Sequence, residues 1–208
     1  MLDFDFYVAT PRLAITYFNP DLDSHIDFIT DLYGARELAA STDNFKWDPI
    51  DREGAVQMIK DRAEQIETTG FGRYLVSLLP ESIPGEPVTL EKVKAAKPIG
   101  VVTLNLRGPG SLPLPDAGFR IMSSQRGKGF APEAINGLLK YYEEEKGVTE
   151  FLAYCEPINE PSKKVLRKVG FEELGLYDVS GISSDGSIEK VLQWSRGLKK
   201  DISEYKAL

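Results

Sequence analysis

The chain has 208 residues, of which 42% are hydrophobic and 27% charged, and a formal net charge of −7. That length fits one large domain over residues 1–208, and the acidic balance argues against nucleic-acid binding, which needs a basic footprint. With one histidine, His25, and one cysteine, Cys155, an internal disulfide is impossible, and a histidine-centred triad or histidine-rich metal site is nearly excluded.

The lone cysteine points to a reducing compartment. No apolar run approaches the roughly 20 residues that span a bilayer. The acidic start MLDFDFYVAT lacks the basic and apolar regions of a signal peptide. The expectation is a soluble cytoplasmic protein with no membrane partner, a monomer or a homodimer.

In chain order, Arg12 to Phe18 reads as a strand with Leu13, Ile15 and Tyr17 on one face. The turn-like Asn19 to Ser24 then caps a helix through Ile26, Phe28, Ile29 and Leu32 that ends at Gly34, with His25 on its solvated side. Asp48-Pro49 opens a second helix, with Ala55, Val56, Ile59, Ala63 and Ile66 on one face. Phe71 to Leu79 is a strand, Pro80 to Pro98 a long loop, Ile99 to Leu106 a strong strand, and Arg107 to Pro115 a Pro- and Gly-rich loop. Ala117 to Met122 is the next strand. It is followed by a helix over about Ala131 to Lys146, with Ala131, Ile135, Leu138, Leu139 and Tyr142 inward. Val148 to Tyr154 is a strand, and Pro161 to Val169 a short helix stopped by Gly170. Two final strands cover about Glu172 to Val179 and Ile188 to Trp194. The order predicts an α/β (α+β) domain of about seven strands and about four helices.

The most informative run is Gly118 to Ala134, GFRIMSSQRGKGFAPEA. A strand enters a basic, glycine-containing turn that opens directly into a helix. First-turn amides lack internal partners and carry partial positive charge, so such a junction is an anion site suited to a pyrophosphate. Gly127 and Gly129 let the backbone approach a phosphate, and Arg126 and Lys128 add charge; a plain strand-to-helix turn would also use two glycines. About 30 residues on comes Asn159 to Phe171, NEPSKKVLRKVGF. Asn159 there can cap the helix or bond a ligand. Lys163, Lys164, Arg167 and Lys168 are either a solvated face or charge for an anion.

Gln125-Arg126-Gly127-Lys128-Gly129-Phe130-Ala131 resembles the acetyl-CoA pyrophosphate loop of GNAT acetyltransferases, in a shortened form. Asn159 to Phe171 is similar to that superfamily's N-x-x-S-x-[KR]-[VL]-[LM]-x-K-x-G-F signature. The closest flavour is the ribosomal-protein (Rim-type) N-terminal acetyltransferases, and the resemblance is specific over about Asp116 to Phe171. It implies a central mixed, largely antiparallel, twisted sheet flanked by helices. It also implies acetyl-CoA as co-substrate, no metal, and a primary amine as acceptor, on a small molecule or a protein N-terminus, attacked directly in a ternary complex.

By the same resemblance the backbone of Ile121 or Met122 would bind the pantetheine and thioester, while Gln125 to Ala131, Asn159, Ser162 and Lys164 would hold the rest of CoA. Asp116, in Asp116-Ala117-Gly118-Phe119, would be the general base in place of the usual Glu; it can equally be a residue that ends the Pro113–Pro115 turn. Ser162 would protonate the thiolate, with Tyr177 in reserve, although Ser162 can also merely cap its helix. Cys155 reads as a small buried hydrophobe rather than a nucleophile. Trp47 can line the acceptor pocket or the core. An acidic protein suits a cationic acceptor at the level of encounter. Two other classes compete: a catalytically silent CoA-binding or interaction module, and a nucleotide-binding protein, against which the missing G-x-x-x-x-G-K-[ST] motif counts.

Overall fold

The computed structural model describes residues 2–40, 48–81, 86–107, 111–180, 182 and 187–205. Trp47 lies outside them.

The strands are β1 (Tyr7–Ala9), β2 (Leu13–Thr16), β3 (Gly72–Leu78), β4 (Lys97–Asn105), β5 (Asp116–Ile121), β6 (Phe151–Cys155), β7 (Glu172–Val179) and β8 (Glu189–Arg196). The helices are α1 (Asp23–Leu32), α2 (Ala35–Ala39), α3 (Arg52–Thr69), α4 (Leu90–Lys94), α5 (Phe130–Glu145) and α6 (Glu160–Lys168). The strands form one sheet in the order β1-β2-β3-β4-β5-β6-β8-β7, and every pairing is antiparallel except β5 with β6. The expected mixed, mainly antiparallel sheet is present. Among the described residues it holds eight strands rather than about seven because β1, three residues long, pairs with β2.

The central strands β3 and β4 are buried on both faces, and alternation along them sorts the side chains. Tyr74, Val76, Val102 and Leu104 point to one face, where Ala134, Ile135, Leu138 and Leu139 of α5 cover them. Leu75 and Val101, the intervening residues, meet Phe28, Ile29 and Leu32 of α1 and Ala55 and Ile59 of α3 on the other face. A leucine such as Leu138, 1% exposed, contributes ~2–5 kcal/mol by the usual cost of its truncation to Ala. Across the first core, the hydroxyls of Tyr74 and Tyr142 hydrogen-bond at 2.6 Å, and Tyr142 also donates to the Gly70 carbonyl at 2.6 Å.

Four local expectations change. The cap of α1 is Leu22, with no side-chain bond; Asn19 instead accepts from the Asp21 amide at 2.9 Å. His25 is half-buried rather than solvated: its Nδ1 accepts from the Asn19 amide at 2.9 Å, and burial lowers its pKa. The Pro80–Pro98 segment contains α4, capped by Thr89, because Val93 joins Ala14 and Leu79 in a small third core. Ala131 is only half-buried; the inner face of α5 runs instead through Phe130, Ala134, Ile135, Leu138, Leu139 and Tyr142.

Candidate active site

The site forms where the sheet opens. β5 and β6 are parallel, and their ladder stops after Asp116↔Leu152 and Ala117↔Ala153. Beyond Ala117, β5 remains paired with β4 alone up to Gly100↔Ile121. Met122 donates its amide to the Ile99 carbonyl at 2.9 Å. Antiparallel hydrogen bonding alternates between edges, so the Ile121 amide faces the opening on the β6 side. Of the pair Ile121 and Met122, only Ile121 therefore has an amide free to meet a ligand there.

Two cavities flank this opening. One, about 290 Å³, is lined by Ile121, Gln125, Arg126, Gly127, Gly129, Phe130, Ala131, Lys164, Val165 and Lys168 among others. The other, about 460 Å³, is lined from α3, β3, β4, β5, β6 and α6 and the segments between them, by residues including Tyr33, Arg62, Arg73, Thr103, Arg107, Asp116 and Tyr154. Phe119, Arg120, Asn159 and Ser162 line both. We call them the turn cavity and the sheet cavity.

In the turn cavity, Gly127 (φ +77°) and Gly129 (φ +81°) occupy the left-handed region. A Cβ on Gly127 would meet nothing within 4 Å, so the requirement is conformational rather than steric. Gly129 is the residue before α5, and it lines the cavity together with Phe130 and Ala131 of the first turn of that helix. The turn is pinned from a distance. Arg12 Nε donates to Glu133 Oε2 at 2.7 Å, and Arg12 Nη1 donates to the Lys128 carbonyl at 3.0 Å. The Arg12 amide and the Thr10 hydroxyl donate to Glu133 Oε1 at 2.9 and 2.7 Å. Nothing in the local pattern of either segment signals this clasp.

Arg126 and Lys128 are more structural than their charge implies. Arg126 donates to the carbonyls of Ile121 at 3.1 Å and Ala40 at 2.6 Å. Lys128 donates to Gln125 Oε1 at 2.8 Å and does not line the cavity. Glu37 accepts from the Ser123 amide and hydroxyl at 2.8 and 2.7 Å. Burial would raise Glu37, but those bonds and the charges of Arg126 and Arg36 hold its carboxyl below the ordinary range.

On α6, Asn159 caps the helix by accepting from the Ser162 amide at 3.0 Å. Ser162 is thus the capped residue, and Asn159 does the capping while lining both cavities. The basic run divides by face. Lys164 and Lys168, four apart, line the turn cavity, whereas Lys163 pairs with Glu160 at 2.8 Å and Arg167 lies over the Trp194 ring.

In the sheet cavity, Asp116 is 4% exposed. Arg107 Nη2 donates to its Oδ1 at 2.9 Å, and Nε lies 2.8 Å from Oδ2. Burial raises the Asp116 pKa, and the Arg107 charge and hydrogen bond oppose the rise without cancelling it. The Arg107 guanidinium sits 5.2 Å from the centroid of the Tyr154 ring. Burial, and then the Asp116 charge, push the Tyr154 phenol up to about 12, so it stays protonated at neutral pH. Tyr154 lies five residues before Asn159, outside the Asn159 to Phe171 signature, and nothing in the local pattern of β6 marks it. Tyr177 is on the edge strand β7, 37% exposed, and lines neither cavity. Cys155 is buried and unpaired, and burial pushes its thiol up, which agrees with a structural role.

Among the described residues no group of three or more His, Cys, Asp or Glu side chains is arranged to hold a metal ion, and no helix is long and apolar enough to cross a membrane.

The chain belongs to the acetyltransferase (GNAT) domain family, whose model matches residues 12–172. It is 31% identical over 62 residues to an uncharacterized N-acetyltransferase, YnaD, of Bacillus subtilis; the match spans 30% of this chain and 36% of that relative. Among solved structures it is similar to an acetyl transferase from Salmonella typhimurium that modifies the N-terminal serine of a 50S ribosomal subunit protein. That match has a TM-score of 0.70 at 15% identity and covers 93% of this chain and all of that one. A ribosomal α-N-protein acetyltransferase, RimL, solved in complex with coenzyme A, superposes with a TM-score of 0.69 at 16% identity, over 94% of this chain and 100% of the other. Identities this low establish a shared fold.

Proposed function

We propose that residues 1–208 form a single domain that transfers an acetyl group from acetyl-CoA to a primary amine, with the turn cavity as the CoA site and the sheet cavity as the acceptor site. The observation that carries this reading is their meeting at Phe119, Arg120, Asn159 and Ser162, beside the stretch of β5 that β6 leaves uncovered. The residues fit the cofactor: left-handed glycines, the first-turn amides of Phe130 and Ala131, Lys164 and Lys168 for phosphates, and the Ile121 amide for the pantetheine arm. Acetyl-CoA, when bound, supplies the thioester.

The chain's own residues do the rest. The Ile121 amide orients the carbonyl. Asp116 takes the ammonium proton: its raised pKa improves it as a base, and Arg107 keeps it ionised and in place. Because both carboxylate oxygens face Arg107, the proton travels through water. Ser162, at the junction, protonates the departing thiolate, and Tyr154 is the second candidate. We prefer both to Tyr177, which lines neither cavity. The unpaired thiol of Cys155 suits the cytoplasm, where we place the reaction.

The Arg107–Asp116 pair also favours the second reading, a silent CoA-binding module, since an engaged carboxylate is a poor base. Asp116→Asn separates the two. An enzyme loses kcat and keeps its affinity for acetyl-CoA; a silent module shows no acceptor-dependent thiol release before or after the change.

A further inference from the structure

The protein carries a net charge of −7, yet the sheet cavity is lined by four arginines, Arg62, Arg73, Arg107 and Arg120, and one carboxylate, Asp116. Arg107 is taken by Asp116. Arg73 and Arg120 flank one ring, with their guanidinium carbons 5.1 and 5.3 Å from the centroid of Tyr33. Arg62 reaches in from α3 and donates to Gln65 Oε1 at 2.8 Å. Arg73 is 8% exposed; its Nη1 points at the Met58 sulfur, a weak acceptor, and its Nε has no hydrogen-bond partner among the described residues. Neither Arg62 nor Arg73 has a carboxylate within ion-pair distance among the described residues. Burial, and then the charge of Arg73, lower the Arg62 pKa, as expected of two like charges close together.

One buried and one half-buried guanidinium, with no counter-ion among the described residues, are expensive, and a carboxylate or phosphate lowers the cost by offering two acceptors to each planar fork. Arg62 and Arg73 line only the sheet cavity, so this is not the phosphate site of the turn cavity. Thr103 is in register with Arg73 on one side and Gly118 on the other, which puts Arg73 two strands, about 10 Å, from β5. A cationic acceptor such as a polyamine would instead meet like charge there.

Resting on the acetyltransferase reading, we propose that the acceptor is a small amine that also carries a carboxylate or a phosphate, with that anion bound by Arg62 and Arg73 while its nitrogen faces Asp116. Net charge alone pointed to the opposite sign of acceptor.

The test uses matched probes with acetyl-CoA: γ-aminobutyrate against n-butylamine, and phosphoethanolamine against ethanolamine. Thiol release is expected to favour at least one anionic member by about tenfold or more in kcat/KM. Which pair shows it separates carboxylate from phosphate. Arg62→Gln and Arg73→Gln each collapse the ratio and leave acetyl-CoA affinity unchanged, and Arg73→Lys restores part of it. Thermal shifts with succinate and inorganic phosphate provide an arm independent of turnover: at least one stabilises the wild type, and Arg62→Gln abolishes the shift. Preference for the neutral amines or for putrescine, or anion shifts that are absent or survive both Gln variants, would overturn the proposal. Anion binding at Arg62 and Arg73 without any thiol release would sink the enzyme reading and leave the anion site standing. Arg62→Gln, at a half-buried helix position, guards against misfolding of the Arg73 variants.

Discussion

The turn cavity and the sheet cavity meet at four residues but are built in opposite ways. The turn cavity comes mostly from two continuous stretches, Gln125 to Pro132 and Asn159 to Lys168, held by backbone conformation and helix ends. The sheet cavity draws its lining from α3, β3, β4, β5, β6 and α6, with Tyr33 just after α1. The difference teaches that the first is a fixed socket whose geometry tolerates few backbone changes. The second is a set of side chains on a scaffold, where single charges set what binds.

The largest expected effect is on chemistry. Asp116→Asn should lower kcat by about 10²–10⁴-fold, the range for losing a general base, while the dissociation constant for acetyl-CoA stays put. In the wild type, kcat/KM should fall as pH drops through the Asp116 pKa. Burial raises that pKa, so the acid limb lies above the ordinary aspartate range and vanishes in the variant. An unchanged limb would remove Asp116 from the mechanism.

Next comes the socket. Gly129→Ala places a side chain at φ +81° and should cost ~1–2 kcal/mol of stability by chemical denaturation. It should also weaken acetyl-CoA binding, leaving anion binding in the sheet cavity intact; loss of both would merge the two regions. Glu133→Gln loosens the clasp from Arg12 to the Lys128 carbonyl. It should raise the acetyl-CoA dissociation constant about threefold to tenfold by calorimetry. The smallest effects divide α6. Lys164→Gln and Lys168→Gln should each weaken acetyl-CoA by about twofold to fivefold at low salt and less at high salt, and Lys163→Gln should not. Equal effects from all three would return the run to a generic basic surface.

The same contrast explains what the sequence made legible. The succession of strands and helices along the chain, the long helices α3 and α5 and the residues of the turn cavity follow from periodicity and contiguous motifs, because their determinants are neighbours in the chain. β1 escaped because three residues carry no period, and α4 because its reason for folding is Val93 against Ala14 and Leu79, far away in sequence. Ala131 was misassigned by one position: Phe130 and Ala134, four apart, define the buried face. Arg73 stands in the strand GRYLVSL as one polar residue among apolar neighbours, and only the folded sheet brings it to Tyr33 and Arg62. Arg126 and Lys128 announced charge at a phosphate turn, whereas their partners, Ala40 and Gln125, give them structural work instead.

The central claim is that the turn cavity takes acetyl-CoA, and thermal stability with and without acetyl-CoA, with ATP and NAD as controls, tests it most directly. At about 100 times its dissociation constant, a ligand that binds only the folded state stabilises it by roughly 2.7 kcal/mol. A clear upward shift is expected with acetyl-CoA alone, reduced in Gly129→Ala. No shift at millimolar acetyl-CoA, or an equal one with ATP, would contradict it.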